Sequence, residues 1–168
     1  MKKKLFVLMS LLFVIFPCIT ILTGCKRTDR QVTVIQIENA FMAEVGSVFD
    51  GWTINSAIPL WDSSIKNYSQ AEKTYLERQN IDSSDFRAAG EIELTISNDT
   101  YYRLNHSLIW LKFSNKKSAS VCVDKYFRKN FEVKGYGNIV VVAHTEIADF
   151  VFDFIDDVVA GKKTGVKA

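Results

Sequence analysis

The chain has 168 residues, 48% of them hydrophobic, with 21 Lys and Arg against 19 Asp and Glu. Residues 1–24 hold 16 of the apolar side chains, none of the acidic ones, and Lys2, Lys3 and Lys4. Without them 144 residues remain, with 18 basic and 19 acidic side chains and a net charge of −1. That remainder suits one compact domain, and its composition argues against genome-scale nucleic-acid binding, a multi-span membrane protein and a disulfide scaffold.

Met1 to Lys4 is a positive start and Leu5 to Leu22 an apolar run interrupted mainly by Ser10 and Pro17, the pattern of a secretory signal or an anchor. It ends in Leu22, Thr23, Gly24 and Cys25, followed by the polar stretch Lys26 to Gln31. This tetrapeptide resembles the lipobox of bacterial lipoproteins. The resemblance implies cleavage before Cys25 and a thioether-linked diacylglycerol on its sulfur, with 1–24 as signal peptide and 25–31 as lipidated Cys and tether. Each buried methylene contributes about 0.8 kcal/mol, so two or three acyl chains make an essentially permanent anchor. The resemblance further implies an envelope location, on the periplasmic face of the outer membrane in a two-membrane host, because Lys26 is not the Asp associated with inner-membrane retention. Leu5 to Gly24 is also long enough to span a bilayer as an uncleaved anchor.

Beyond the tether, residues 32–161 are expected to form a single α+β domain. An antiparallel sheet of four to six strands would have helices near its start and at the C-terminus, with 162–168 as a basic tail. Val32 to Ile37, rich in β-branched residues, reads as a first strand, and Glu38 to Trp52 as a helix through Phe41, Val45, Val48, Phe49 and Trp52. Thr53 to Tyr68 reads as irregular, with Trp61 plugging the core, and Ser69 to Arg78 as a short helix. Ile92, Leu94 and Ile96 alternate with Glu91, Glu93 and Thr95 as a strand with one solvated face. Thr100 to Phe113 reads as a long strand or two broken near Asn105, Asn115 to Lys117 as a turn and Ser118 to Asp124 as a strand bearing Cys122. Gly135-Tyr136-Gly137 reads as a turn and Asn138 to Ala143 as a central strand. The simplest topology is a meander. Thr145 would cap a last helix with Ile147, Phe150, Val151, Phe154, Ile155, Val158 and Val159 on one face. Glu146, Asp149, Asp153, Asp156 and Asp157 lie on the other, with Phe152 at the edge of the apolar stripe, and Gly161 ends the helix.

Cys18 leaves with the leader and Cys25 takes lipid, so Cys122 stands alone, most simply as a small unreactive residue. His106 and His144 could serve a hydrolase, or bind zinc with a carboxylate, but lack close ligand spacing. No catalytic set, metal or cofactor is therefore assigned. The best contact surface is the basic and aromatic stretch from Lys112 to Lys134, centred on Lys116, Lys117, Lys125, Tyr126, Arg128 and Lys129. These features point to a membrane-anchored envelope lipoprotein that binds or assembles with an envelope protein and not with nucleic acid. The alternatives are a protective lipoprotein (exclusion, immunity or enzyme inhibition) and an envelope hydrolase using His106 or His144. Intact mass of the protein from its host should show loss of Met1 to Gly24 and added acyl mass on Cys25; an unmodified full-length mass would refute lipidation.

Overall fold

The computed structural model describes residues 32–162, apart from 61 and 102 and the side chains of 62–64. The leader, Cys25, the tether, Trp61 and the tail from 163 lie outside the described residues. Among the described residues, four helices and six strands make one α+β domain, in the order α1 Val34–Ala43, β1 Val48–Phe49, β2 Trp52–Pro59, α2 Asp62–Arg78, β3 Phe86–Ser97, β4 Leu104–Phe113, α3 Lys116–Lys125, β5 Phe131–Tyr136, β6 Ile139–His144 and α4 Ala148–Val159. Among the described residues, no helix is long and apolar enough to cross a membrane.

The expected first strand is helical. Thr33 and Gln36 form a reciprocal capping box, with Gln36 N donating to Thr33 Oγ1 at 3.2 Å and Thr33 N to Gln36 Oε1 at 2.9 Å. Ile37, Ala40 and Phe41 then fall on one buried face, and this packing overrides the β-branched composition. The helix stops at Ala43, not Trp52. Gly46 takes φ +86°, and Asp50 and Gly51, at φ +49° and +77°, form the two-residue turn that joins β1 to β2. Positive φ at both central positions is what a type I′ hairpin needs, so Val48, Phe49 and Trp52 belong to a hairpin whose apolar residues only mimic helical spacing. Thr53 to Tyr68, expected to be irregular, supplies most of β2 and the first part of α2.

Ser118 to Asp124 is also helical. Asn115 Oδ1 accepts from Ser118 N at 2.9 Å, capping α3, and the helix buries Ala119 and Cys122 three positions apart. Asp85 reinforces this start, accepting from Ser114 Oγ, from Asn115 Nδ2 at 2.8 Å and from Ser118 Oγ at 2.6 Å. These bonds, that of Ser114 foremost, pull the Asp85 carboxyl down to about 2.

All neighbouring strands are antiparallel, in the order β1-β2-β3-β4-β6-β5. The meander therefore holds only through β4. The chain then crosses through α3 to the far edge, enters β5 and returns by a two-residue turn at Gly137 and Asn138 to lay β6 between β4 and β5. Gly137 takes φ +68°, and Tyr136 pairs with Ile139 as a strand residue, which moves the expected turn by two positions. Because β6 is antiparallel to both neighbours, β4 and β5 run parallel.

Helices cover both faces of the sheet. On one, α1 and α4 bury Phe41, Phe150, Val151, Phe154 and Ile155 against Ile54, Ile92, Leu94, Leu108, Trp110 and Val141, with Phe41 stacked on Phe154 at 4.2 Å. On the other, Leu76, Ala119, Cys122 and Tyr126 pack on Ala89, Ile109, Leu111, Val140 and Val142. The last helix keeps its expected apolar face, but its N-cap is Ile147, not Thr145, whose backbone N–H instead donates to Asn130 O at 2.9 Å. Phe152 is buried, not at a docking edge. Gly161, at φ +75°, ends the helix in a Schellman motif: its N–H donates to Val158 O and that of Lys162 to Asp157 O.

Gly90 lies in close contact across the sheet. Its cross-strand partner Trp110 lies over it, a Cβ at Gly90 would fall 2.5 Å from Trp110 Cζ2, and Trp110 Nε1 donates to Glu38 Oε1 on α1 at 3.1 Å. Gly90→Ala should therefore destabilise by about 1–3 kcal/mol through overpacking, although alanine has the better strand propensity. Thermal unfolding and tryptophan emission check this; an unchanged melting temperature and spectrum would show that the indole moves freely aside.

Candidate functional site

The expected contact residues divide. Lys116 and Lys117 are exposed at the first turn of α3, and Lys125 and Lys129 are exposed at and beyond its last turn. Nine residues at 1.5 Å rise separate the two ends by about 13 Å. Tyr126 and Arg128, by contrast, are turned inward. Tyr126 is 6% exposed and donates its hydroxyl hydrogen to Glu72 Oε2 at 3.2 Å, while Arg128 Nη2 donates to Glu72 Oε1 at 2.7 Å. Glu72, on α2, is itself only 5% exposed. The Arg128 guanidinium also lies 4.6 Å from the Tyr75 ring centroid. Burial, followed by the Glu72 charge, pushes the Tyr126 phenol well above its ordinary range and keeps it a neutral donor.

The residue between them does the opposite. Phe127 is 73% exposed, yet its backbone is gripped from α2: its N–H donates to Gln79 Oε1 at 2.7 Å, and its carbonyl accepts from Tyr75 OH at 2.6 Å and Gln79 Nε2 at 2.9 Å. Glu72 and Tyr75 on α2 and Gln79 just past its end, spaced at i, i+3 and i+7, thus face residues 126–128. Phe127 is the functional candidate that sequence reasoning undervalued. The signal available was the basic-aromatic interleaving itself, which could not tell an inward ring from an outward one.

Two further groups are brought together. His106 on β4 and His144 at the end of β6 stack with ring centroids 4.2 Å apart and planes 9° apart, and Glu146 in the turn before α4 joins them. His106 Nε2 lies 2.8 Å and His144 Nδ1 3.6 Å from Glu146 Oε2. Separately, Ile35 and Met42, seven positions apart on α1, and Val45 and Val48 after it are exposed apolar side chains. The acidic face of α4 is partly paired, with Asp156 bound to Lys134 and Asp157 to Lys162.

Neither a family model, nor a curated protein, nor a solved structure is similar to this chain.

Cys122 is fully buried on α3, where burial, followed by the charge of Glu72, pushes its thiol up to about 12. The thiolate needed by a nucleophile is therefore suppressed at neutral pH. A thiol reagent at pH 8 should leave Cys122 unmodified in the native protein and modify it fully in denaturant. Rapid native labelling would place the sulfur at the surface and contradict this packing.

Proposed function

We propose that the chain is a lipid-anchored envelope protein that acts as a non-catalytic binding module, docking an envelope protein of acidic character through Phe127, Lys125 and Lys129. One observation carries this reading: a large apolar ring held out to solvent on a backbone fixed by three side-chain hydrogen bonds. An aromatic anchor gains most when the free protein already holds it in place, because less ordering entropy opposes association. The flanking lysines supply charge that selects an acidic partner and speeds encounter.

The lipid anchor, implied by the lipobox resemblance, contributes permanent localisation.

A photo-crosslinking side chain at position 127 should give a discrete protein adduct in intact cells, while one at exposed Asp153 on the α4 face should not. With the partner in hand, Phe127→Ala should weaken binding about tenfold or more and shift stability by no more than about 0.5 kcal/mol. Lys125→Glu with Lys129→Glu should weaken it and reduce its salt dependence. Adducts to lipid alone would reassign the tip to membrane contact, and a monomer with no adduct would overturn the reading.

A further inference from the structure

We propose that His106, His144 and Glu146 form a binding site for a first-row transition dication, of which Zn²⁺ is the simplest probe. The site is distinct from the Phe127 surface. Its three side chains come from three segments, namely the outer part of β4, the end of β6 and the turn leading into α4. Their donor atoms lie within 4.8 Å of one another, the one such group of three among the described residues.

The distances suit a metal. Zinc bound at about 2.0–2.1 Å in tetrahedral geometry holds its ligand atoms about 3.3–3.4 Å apart. The 2.8 Å from His106 Nε2 to Glu146 Oε2 and the 3.6 Å from His144 Nδ1 to the same oxygen bracket that value. The Glu146 backbone N–H points at His144 Nδ1 from 3.4 Å, so this nitrogen serves as an acceptor, and an ion would take its lone pair by displacing that long contact. Binding requires the two imidazoles to tilt out of their parallel stack, aiming both lone pairs at one point. Phe131, edge-on to His144 at 5.4 Å, supports the ring from its other neighbour.

The donor set selects the ion class. Two imidazole nitrogens and one carboxylate suit zinc, copper, nickel or iron, whereas calcium and magnesium favour all-oxygen sites. The side chains are 19%, 21% and 49% exposed, so the cluster is reachable from solvent and leaves coordination positions for water or an external ligand. A bound ion would staple β4, β6 and the start of α4 together.

The test uses the full-length protein without a polyhistidine tag, in detergent, titrated with Zn²⁺ by calorimetry and with Co²⁺ by its visible absorption. One equivalent should bind, and Zn²⁺ should raise the melting temperature because the ion favours the folded state. Glu146→Gln should lower affinity at least tenfold, His106→Gln with His144→Gln should abolish binding and the melting shift, and Cys122→Ser should change neither. Circular dichroism without metal checks the fold of each variant. If the double variant does not fold, Glu146→Gln, at a half-exposed position, decides the matter. Absence of saturable binding in the unmodified protein, unchanged affinity in Glu146→Gln, or binding that survives loss of both histidines in a folded variant would overturn the proposal.

Discussion

Burial of β4 and β6 on both faces is the constraint on which the rest of the structure depends. Leu108, Leu111, Val140, Val141, Val142 and Ala143 are all inaccessible to water, so neither face of these strands can be left to solvent. An antiparallel sheet often hides one face only, and its strands then alternate apolar with polar residues. Here the unbroken Ile-Val-Val-Val run of β6 demands a helix on each side. The layer of α1 and α4 meets one demand, and that of α2 and α3 the other. The inserted position of β6 follows: a strand apolar on both faces is least costly with a neighbour on each edge as well, which β4 and β5 provide.

The same constraint shows why parts of the fold were legible and others were not. β3, β4, β6 and α4 could be read because long apolar patterns of one clear period run through them. The two helices misread as strands, α1 at its start and α3, are short and carry β-branched or alternating residues, so 2.0 and 3.6 periods fit nearly equally well. Their caps held the deciding information: Thr33 with Gln36, and Asn115 with the N–H of Ser118. The Asp50-Gly51 turn was equally local and could have divided the supposed long helix. In the candidate sites, sequence could group Lys125 to Lys129 but could not orient Tyr126 and Phe127, because the partner that turns Tyr126 inward, Glu72, lies on a distant helix. His106 and His144 were visible as residues, but only the pairing of β4 with β6 closes the distance between them.

Glu72 shows how energetics and placement separate. Taking a carboxylate and a guanidinium out of water costs several kcal/mol per ion, and their attraction offsets this only with good geometry and further hydrogen bonds. The 2.7 Å contact with Arg128, the Tyr126 hydroxyl and the Tyr75 face meet that condition, while the quarter exposure of Arg128 weakens both the cost and the gain. The network is therefore close to neutral as a source of stability. Its effect lies in position: it holds residues 126–128 against α2 so that Gln79 and Tyr75 can fix the backbone of Phe127.

That fixed segment also reaches the histidines. Arg128 lies over the Phe131 ring at 5.6 Å, Phe131 meets His144 edge-on and pairs with it across β5 and β6, and the Asn130 carbonyl accepts from Thr145 N. Arg128 and His144 are thus linked through one ring and one ladder step. The two proposed contact points are chemically separate, one an aromatic tip between lysines and the other a nitrogen and oxygen donor set. They nevertheless share a scaffold of five consecutive loop and strand positions from Phe127 to Phe131. The Glu72 network, close to neutral in stability, thus bears through this one stretch on both the placement of Phe127 and the ring of His144.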